Sequence, residues 1–276
     1  MLLAIDVGNT QTVLGLYDHD SLAISDGASV GPRKADFGLS HNFRIATVPD
    51  RTADEHALLF SQLLGMRGID RLSSISGLVL SSTAPSITTA LRDMVDRWFH
   101  VQPVVVAPGI RSGMAILYDN PKEVGADRIA DSVAAYDLYP GPCLIVDFGT
   151  ATTFEAVSAK KEYLGGAIVP GIEISLDALF RSASALRKVE LIEPRGVIGK
   201  STVESIQSGA LYGFAEQTDG LCRRFKAELG ENTTVIATGG LSGLISRFCK
   251  EIDVVEPWLT LHGLRLIYEM NIPSRG

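Results

Sequence analysis

The sequence predicts an α/β protein made of two α/β halves of similar order, an internal duplication within one chain. Three observations carry that expectation. The stretch IDVGNTQTVLGLYD at 5–18 returns as IVDFGTATTFEAVS at 145–158, so an Asp-X-Gly turn followed by threonine is built twice between apolar runs. Each half then reads strand, strand, strand, helix, strand, helix. Between them Pro140-Gly141-Pro142 interrupts the pattern before it restarts. The division expected from this order is 1–115 and 116–276, with the boundary region near 115–142.

The elements follow from local pattern. LLAIDV at 2–7 and QTVLGLY at 11–17 are short apolar runs joined by Gly8-Asn9-Thr10, the signature of a hairpin. A third strand is expected near 42–48. The intervening 26–40 is rich in Gly, Ser, Asp and Pro and reads as an exposed, mobile loop. ADEHALLFSQLLGM at 53–66 has helical spacing, with Thr52 as N-cap and Glu55 three positions on. SGLVLSS at 76–82 reads as a buried strand, 86–99 as a helix, and 103–106 as a further strand. After a Gly/Pro loop a helix is expected from about 123 to 139. In the second half, 143–147, 152–157 and 163–169 read as strands. A helix follows Pro170-Gly171 and a longer one spans about 202–229. VIATGG at 235–240 is a strand ending in glycines, with a short helix after it. Val254-Val255 reads as a last strand and 259–269 as a last helix.

Composition narrows the function. The chain has 276 residues and a formal net charge of -7, with apolar residues spread throughout, so most of it has the means to build a core. No basic tract stands out to neutralise phosphates, which argues against a nucleic-acid partner. No apolar run has the length to span a bilayer, and the first residues lack the flank of a signal peptide, so no membrane partner is expected. Cys143, Cys222 and Cys249 are an odd, widely spaced set without CxxC, and the five histidines are scattered. A disulfide framework or structural zinc is therefore not expected, and a reducing cytoplasm is the natural setting.

The repeated turn has a chemical use. Glycine lets backbone N–H groups approach phosphate oxygens, and Thr10 and Thr150 add hydroxyl donors. The carboxylates of Asp6 and Asp147 would repel phosphate directly but can hold a cation that bridges to it. Two such hairpins facing a nucleotide cleft would clamp a polyphosphate. Asp and Gly also simply end strands; one copy would not outweigh that explanation, and two matching copies do. Thr238-Gly239-Gly240, after a strand and before a helix, suits a further wall of the same pocket. NPKEVGADRIAD at 120–131 is the other dense constellation. Asp127 and Arg128 point in different directions on a helix, so one can act as a base while the other holds an anionic group. An Asp in a first helical turn also complements the helix dipole, and spacing alone does not choose. Gly165-Gly166 and Pro170-Gly171 fit either ligand lining or tight packing.

Taken together, the hairpins and TGG resemble the nucleotide motifs of the acetate and sugar kinase, actin and chaperone ATPase superfamily. DVGNT at 6–10, RTADEHALLF at 51–60, NPKEVGADR at 120–128, DFGTATT at 147–153 and GGAIVPG at 165–171 resemble the type III pantothenate kinase family, in the expected order over nearly the whole chain. The resemblance implies a duplicated ribonuclease-H-like fold and transfer of the γ-phosphate of ATP to pantothenate, the first step of coenzyme A synthesis. It implies ATP binding by Asp6, Val7, Gly8, Asn9, Thr10, Gln11, Thr12, Val13 and Thr150. It places a monovalent cation, potassium or ammonium, at Asp147, and it brings in magnesium, with Asp6 as its candidate ligand. It makes Asp127 the proton acceptor, and Gly125, Ala126, Asp127 and Arg128 the segment that holds pantothenate. Tyr118 aligns with a tyrosine that lines the substrate pocket, and Thr202 with a threonine that reaches pantothenate across a homodimer interface. The 26–40 loop is longer than the family pattern. The alternatives are a related kinase for another small hydroxyl substrate, a catalytically inactive relative serving as an accessory factor in transcription, and an ATP-driven chaperone or filament protein.

Overall fold

The structure is a computed structural model, and it describes residues 1–18, 38–69 and 72–272. The 26–40 loop lies outside the described residues except for its last three. Described residues group into two compact units that are not successive halves of the chain. The first holds the described residues to Met114, Asp119–Ala134 and those from Leu259 on; the second holds Ala115–Tyr118 and Ala135–Trp258. A cut at residue 115 would instead have assigned the last helix to the second half.

The first unit is built on a five-stranded sheet in the order β3-β2-β1-β4-β5, with β1 at Leu2–Val7, β2 at Gln11–Tyr17, β3 at Leu39–Ala46, β4 at Gly77–Ser82 and β5 at Val104–Val105. LLAIDV is nearly continuous in apolar residues because β1 is central and covered on both faces. On one face lie α1 (Ala53–Gly65) and α2 (Pro85–Met94), whose Ala57, Phe60, Leu64, Ile87 and Leu91 share a core with Leu3, Ile5, Val7, Leu14 and Leu80. The spacing of Ala57, Phe60 and Leu64 is the helical stripe read from sequence. The start of α1 is the expected capping box: Thr52 accepts from the Glu55 N–H, and the Glu55 carboxylate accepts from the Thr52 N–H. Pro85 opens α2, and its last turn widens into a π-helical turn at Val95–Phe99.

The final helix, numbered α7 below (Leu259–Asn271), packs against β1 and β4. Two small residues admit it. A Cβ on Gly15 would lie 2.8 Å from side-chain carbons of both Leu39 and Leu261, and Gly77 leaves room for the Tyr268 hydroxyl. This packing, dispersed in sequence and contiguous in space, is why α7 belongs to the first unit.

In the second unit the sheet order is β11-β10-β7-β8-β9-β6. Its strands are β6 (Ala115–Ile116), β7 (Cys143–Phe148), β8 (Ala151–Val157), β9 (Glu162–Pro170), β10 (Thr234–Thr238) and β11 (Val254–Val255). Helix α3 (Ala126–Leu138), whose residues to Ala134 belong to the first unit, precedes β7; α4 (Ile172–Ser182), the 28-residue α5 (Thr202–Leu229) and α6 (Ser242–Ile245) follow. Their core joins Leu144, Val146, Phe148 and Phe154 of the sheet to Ile172, Leu211, Cys222 and Ile245.

The duplication is visible in the pairing. β1 is antiparallel to β2, β2 is antiparallel to β3, and β4 runs parallel to both β1 and β5. β7, β8, β9, β10 and β11 repeat that scheme. A register shift falls at Leu16/Tyr17 against β3 and, in the equivalent place, at Ala156/Val157 against β9. Shared bulges of this kind are inherited features of a fold. The two turns differ by one residue, since Val7 pairs with Thr12 while Phe148 pairs with Thr152.

Three local expectations need correction. The third strand is Leu39–Ala46, shifted from 42–48, because Gly15 and Leu16 need partners in Asn42 and His41. Helix α3 begins at Ala126 rather than 123, because Asn120-Pro121 closes a separate 3₁₀ turn and Val124 is extended. The loop before α3 contains a strand, β6, too short to leave a periodic signal; it exists because Ala115 and Ile116 pair with Glu162 and Tyr163.

Candidate active site

In the first unit, Asp6 sits half-buried one residue from the end of β1, paired in register with Val13. The turn after it is held from beneath. Gly8 N–H donates to Gln11 O at 3.0 Å, and Thr47 N–H donates to Thr10 O at 3.0 Å. The Thr47 hydroxyl donates to Gly8 O at 2.8 Å and meets the Thr12 hydroxyl at 2.9 Å. Thr83 donates twice to Val7 O, from its N–H and its hydroxyl. Carbonyls of Val7, Gly8, Thr10 and Gln11 thus already accept hydrogen bonds, which leaves fewer free acceptors around Asn9 and Thr10. That polarity suits an anion. Arg44 Nη1 donates to Gln11 Oε1 at 2.8 Å, placing a guanidinium beside the same turn.

Asp127 belongs to the same unit. Gly125 O accepts the Ile129 N–H, so Gly125 caps α3 and Asp127 stands in its first turn. Its Oδ1 accepts from the Arg128 N–H at 2.8 Å. The carboxylate therefore folds back over the helix start, into space where a Cβ on residue 125 would stand. This explains Gly-X-Asp at that spacing: the glycine vacates the place the carboxylate occupies. The acid stands at the positive end of the helix with one oxygen fixed.

In the second unit three segments converge on Asp147 and Thr150. Gly149 N–H closes the β7–β8 turn onto Ala151 O at 3.1 Å. Gly171, at the start of α4, donates to Thr150 O at 3.1 Å. Gly239, with φ of +89°, lies against Asp147 Oδ1; a Cβ there would be 2.7 Å from the Phe148 backbone. Ser242 donates its hydroxyl to Gly239 O at 2.7 Å and so fixes that peptide. The TGG segment therefore adjoins the second hairpin, as its position after a strand implied.

Tyr118 follows β6, and its half-buried ring lies 6.2 Å, centroid to centroid, from that of Tyr163. Thr202 is exposed in the first turn of α5, which Ser201 caps. Asp6 to Val13, Gly125, Ala126, Asp127 and Arg128 thus belong to the first unit. Asp147, Thr150, Tyr118 and Thr202 are in the second. Thr47, Thr83, Tyr163 and Glu155 were not singled out from sequence; Thr47 and Thr83 each follow a strand by one residue, the only signal they carried.

Among the described residues no group of three His, Cys, Asp or Glu side chains gathers to hold a metal. Single carboxylates at strand ends, such as Asp6 and Asp147, fit hard cations that complete their shell with water and phosphate oxygens. Burial pushes the thiols of Cys143, Cys222 and Cys249 up to about 12, which favours their protonated form.

The repeated sheet topology defines a class, the duplicated ribonuclease-H-like α/β fold. An activator of 2-hydroxyisocaproyl-CoA dehydratase from Clostridium difficile, solved with ADPNP, superposes with a TM-score of 0.55. It covers 100% of this chain and 99% of its own at 12% identity, a likeness of fold alone. Within that class the family is clear. The sequence profile of the type III pantothenate kinases matches residues 2–224. The type III pantothenate kinase of Frankia alni is 52% identical over 273 residues, covering 99% of this chain and 100% of its own. That of Moorella thermoacetica is 48% identical over 271 residues, covering 98% and 100%. The chain belongs to the type III pantothenate kinase family.

Proposed function

We propose that this protein transfers the γ-phosphate of ATP to the hydroxyl of pantothenate, the opening step of coenzyme A synthesis. Its family membership over the full length carries the reading, and the intact acidic turns at Asp6 and Asp147 with Asp127 support it. Phosphoryl transfer needs alignment, charge neutralisation and an acceptor for the hydroxyl proton. In this reading Asp6 to Val13 and Thr150 hold ATP, the turn carbonyls being already hydrogen-bonded and the turn's N–H and hydroxyl donors meeting the phosphates. Gly125 to Arg128 and Tyr118 hold pantothenate, and the Arg128 guanidinium is read as the partner of its carboxylate. Asp127 accepts the proton of the attacking hydroxyl; its Oδ1 bond to the Arg128 amide sets the direction from which it does so. Asp6 fits magnesium and Asp147 potassium or ammonium, cations whose charge offsets that of the phosphates when bound.

The protein is further read as a homodimer working in the cytoplasm, with Thr202 of one copy reaching pantothenate in the other. Support comes from apolar side chains left exposed in the second unit, among them Ile168 at 63%, Val197 at 69% and Ile198 at 82%. Three free cysteines fit a reducing compartment.

The test is an ADP-release assay with ATP and pantothenate, run in potassium and again in sodium, beside a panel of sugars and small hydroxy acids. Turnover confined to pantothenate and dependent on potassium or ammonium is expected. ADP release no faster with pantothenate than without it would end the reading. Light scattering that returns a monomer mass would end the dimer.

A further inference from the structure

We propose that Tyr163 and Glu155 are positioning residues that set the ring of Tyr118, and through it the fit of pantothenate. The proposal rests on the reading of Tyr118 as a wall of the substrate pocket. All of its parts lie in the second unit. Tyr118 follows a strand of only two residues, β6, anchored by Ala115 opposite Glu162, Ile116 opposite Tyr163, and Leu117 N–H donating to Tyr163 O at 2.8 Å. So short a strand gives the next side chain little definition. Its ring must be placed by what it packs on.

Two groups do that. One edge of the ring lies on Gly165, where a Cβ would be 3.4 Å from it and where φ is +123°. The ring also meets that of Tyr163 at 6.2 Å with a 58° tilt, an aromatic pairing in the favourable range. Tyr163 in turn is fully buried and is not free to turn out of plane, because its hydroxyl donates to Glu155 Oε2 at 2.7 Å. Glu155 is itself 0% exposed on β8, directly opposite Gly166, and a Cβ on Gly166 would be 3.2 Å from the same carboxylate oxygen.

The order is therefore Glu155, Tyr163, Tyr118, each held by the one before, with Gly166 leaving room for the Glu155 carboxylate. A buried carboxylate is a costly way to fill space that an apolar side chain would fill well. Its presence is accounted for if what matters is the angle of the Tyr163 ring. In this reading the tilted Tyr163 ring sets the orientation in which Tyr118 meets pantothenate.

The experiment is a double-mutant cycle on the full chain with Tyr118→Ala, Tyr163→Phe and the pair, reading kcat, both KM values and the melting temperature. Tyr163→Phe keeps the ring and removes only the anchor. Its KM for pantothenate is expected to rise about 3- to 10-fold, while KM for ATP and kcat stay within about twofold, since the loss is one of pre-organisation. In the Tyr118→Ala background the same change is expected to add less than about 1.5-fold, because coupled residues are not additive. Glu155→Gln, which keeps Tyr163, is expected to move pantothenate KM in the same direction. If Tyr163→Phe misfolds, that second variant decides. An unchanged pantothenate KM, a matching rise in ATP KM, or equal effects in both backgrounds overturns the proposal. A wild-type enzyme inactive on pantothenate, or a Tyr118→Ala variant with normal KM, overturns the underlying reading instead, and this one with it.

Discussion

Replacing Gly125 with alanine should separate catalysis from folding. A Cβ at that position would lie 2.4 Å from Asp127 Oδ1, whereas ordinary contact begins near 3.4 Å. The carboxylate must therefore retreat by about 1 Å, and a misplacement of that size at a reacting group costs on the order of 100-fold in rate. Folding should suffer little. The clashing atom ends a rotatable side chain, and exchanging Gly for Ala at a helix N-cap costs about 1 kcal/mol or less. Steady-state ADP release with saturating ATP and pantothenate measures kcat, and a thermal melt checks the fold. The expected result is kcat lowered by about two orders of magnitude with ATP affinity near normal. In an Asp127→Asn background the same substitution should do almost nothing more, because both changes act on one group. A Gly125→Ala enzyme with kcat within about threefold of normal would refute the argument that this glycine exists to make room for the base.

Asp127→Asn alone should lower kcat by roughly 100-fold or more while calorimetry still records ATP binding, as expected for loss of a general base. Gly239→Ala should destabilise the protein by about 1–3 kcal/mol, because the residue has positive φ and its new methyl group would press on rigid Phe148 backbone; an unchanged melting temperature would contradict this. Acid stability should report on His56, which is 2% exposed, whose ring nitrogens have no hydrogen-bond partner among the described residues, and whose pKa burial lowers from 6.5 to about 4. The unfolded imidazole takes up a proton in that window and the folded one resists it, so stability falls as pH drops from about 6.5 towards 4. Urea unfolding should show a loss of roughly 1–2 kcal/mol at pH 5 relative to pH 7.5, and His56→Leu should flatten that part of the pH dependence.

How much was legible can be argued from particular residues. The capping box at Thr52, the hairpins, α5 at 202–229 and the strand at Val254-Val255 announce themselves because their signals are local: caps, periodicity and breakers act over a few residues. The acidic turns at Asp6 and Asp147 stood out because the pattern is built twice, whereas Asp127 was picked out only by the family resemblance, its spacing alone being equally that of an acid in a first helical turn. Thr47 was not legible, since its value lies in a hydroxyl that meets Gly8 and Thr12 across the sheet. Nor was β6, which has no pattern of its own and is a strand only by virtue of β9. Gly165-Gly166 could be read as lining or as packing; contacts with Tyr118, Phe154 and Glu155 give it packing.

By itself the order of residues determined the duplicated α/β plan, the nature and spacing of the acidic turns and the family to which they belong. Those properties are written in short stretches where backbone chemistry and side-chain period speak directly. Only the tertiary structure decided that α7 joins the first unit, that Gly239 abuts Asp147, and that Tyr118 rests on a Tyr163–Glu155 anchor. Such contacts join residues far apart in the chain, and the free energy that selects them comes from close packing and burial, which no local stretch contains.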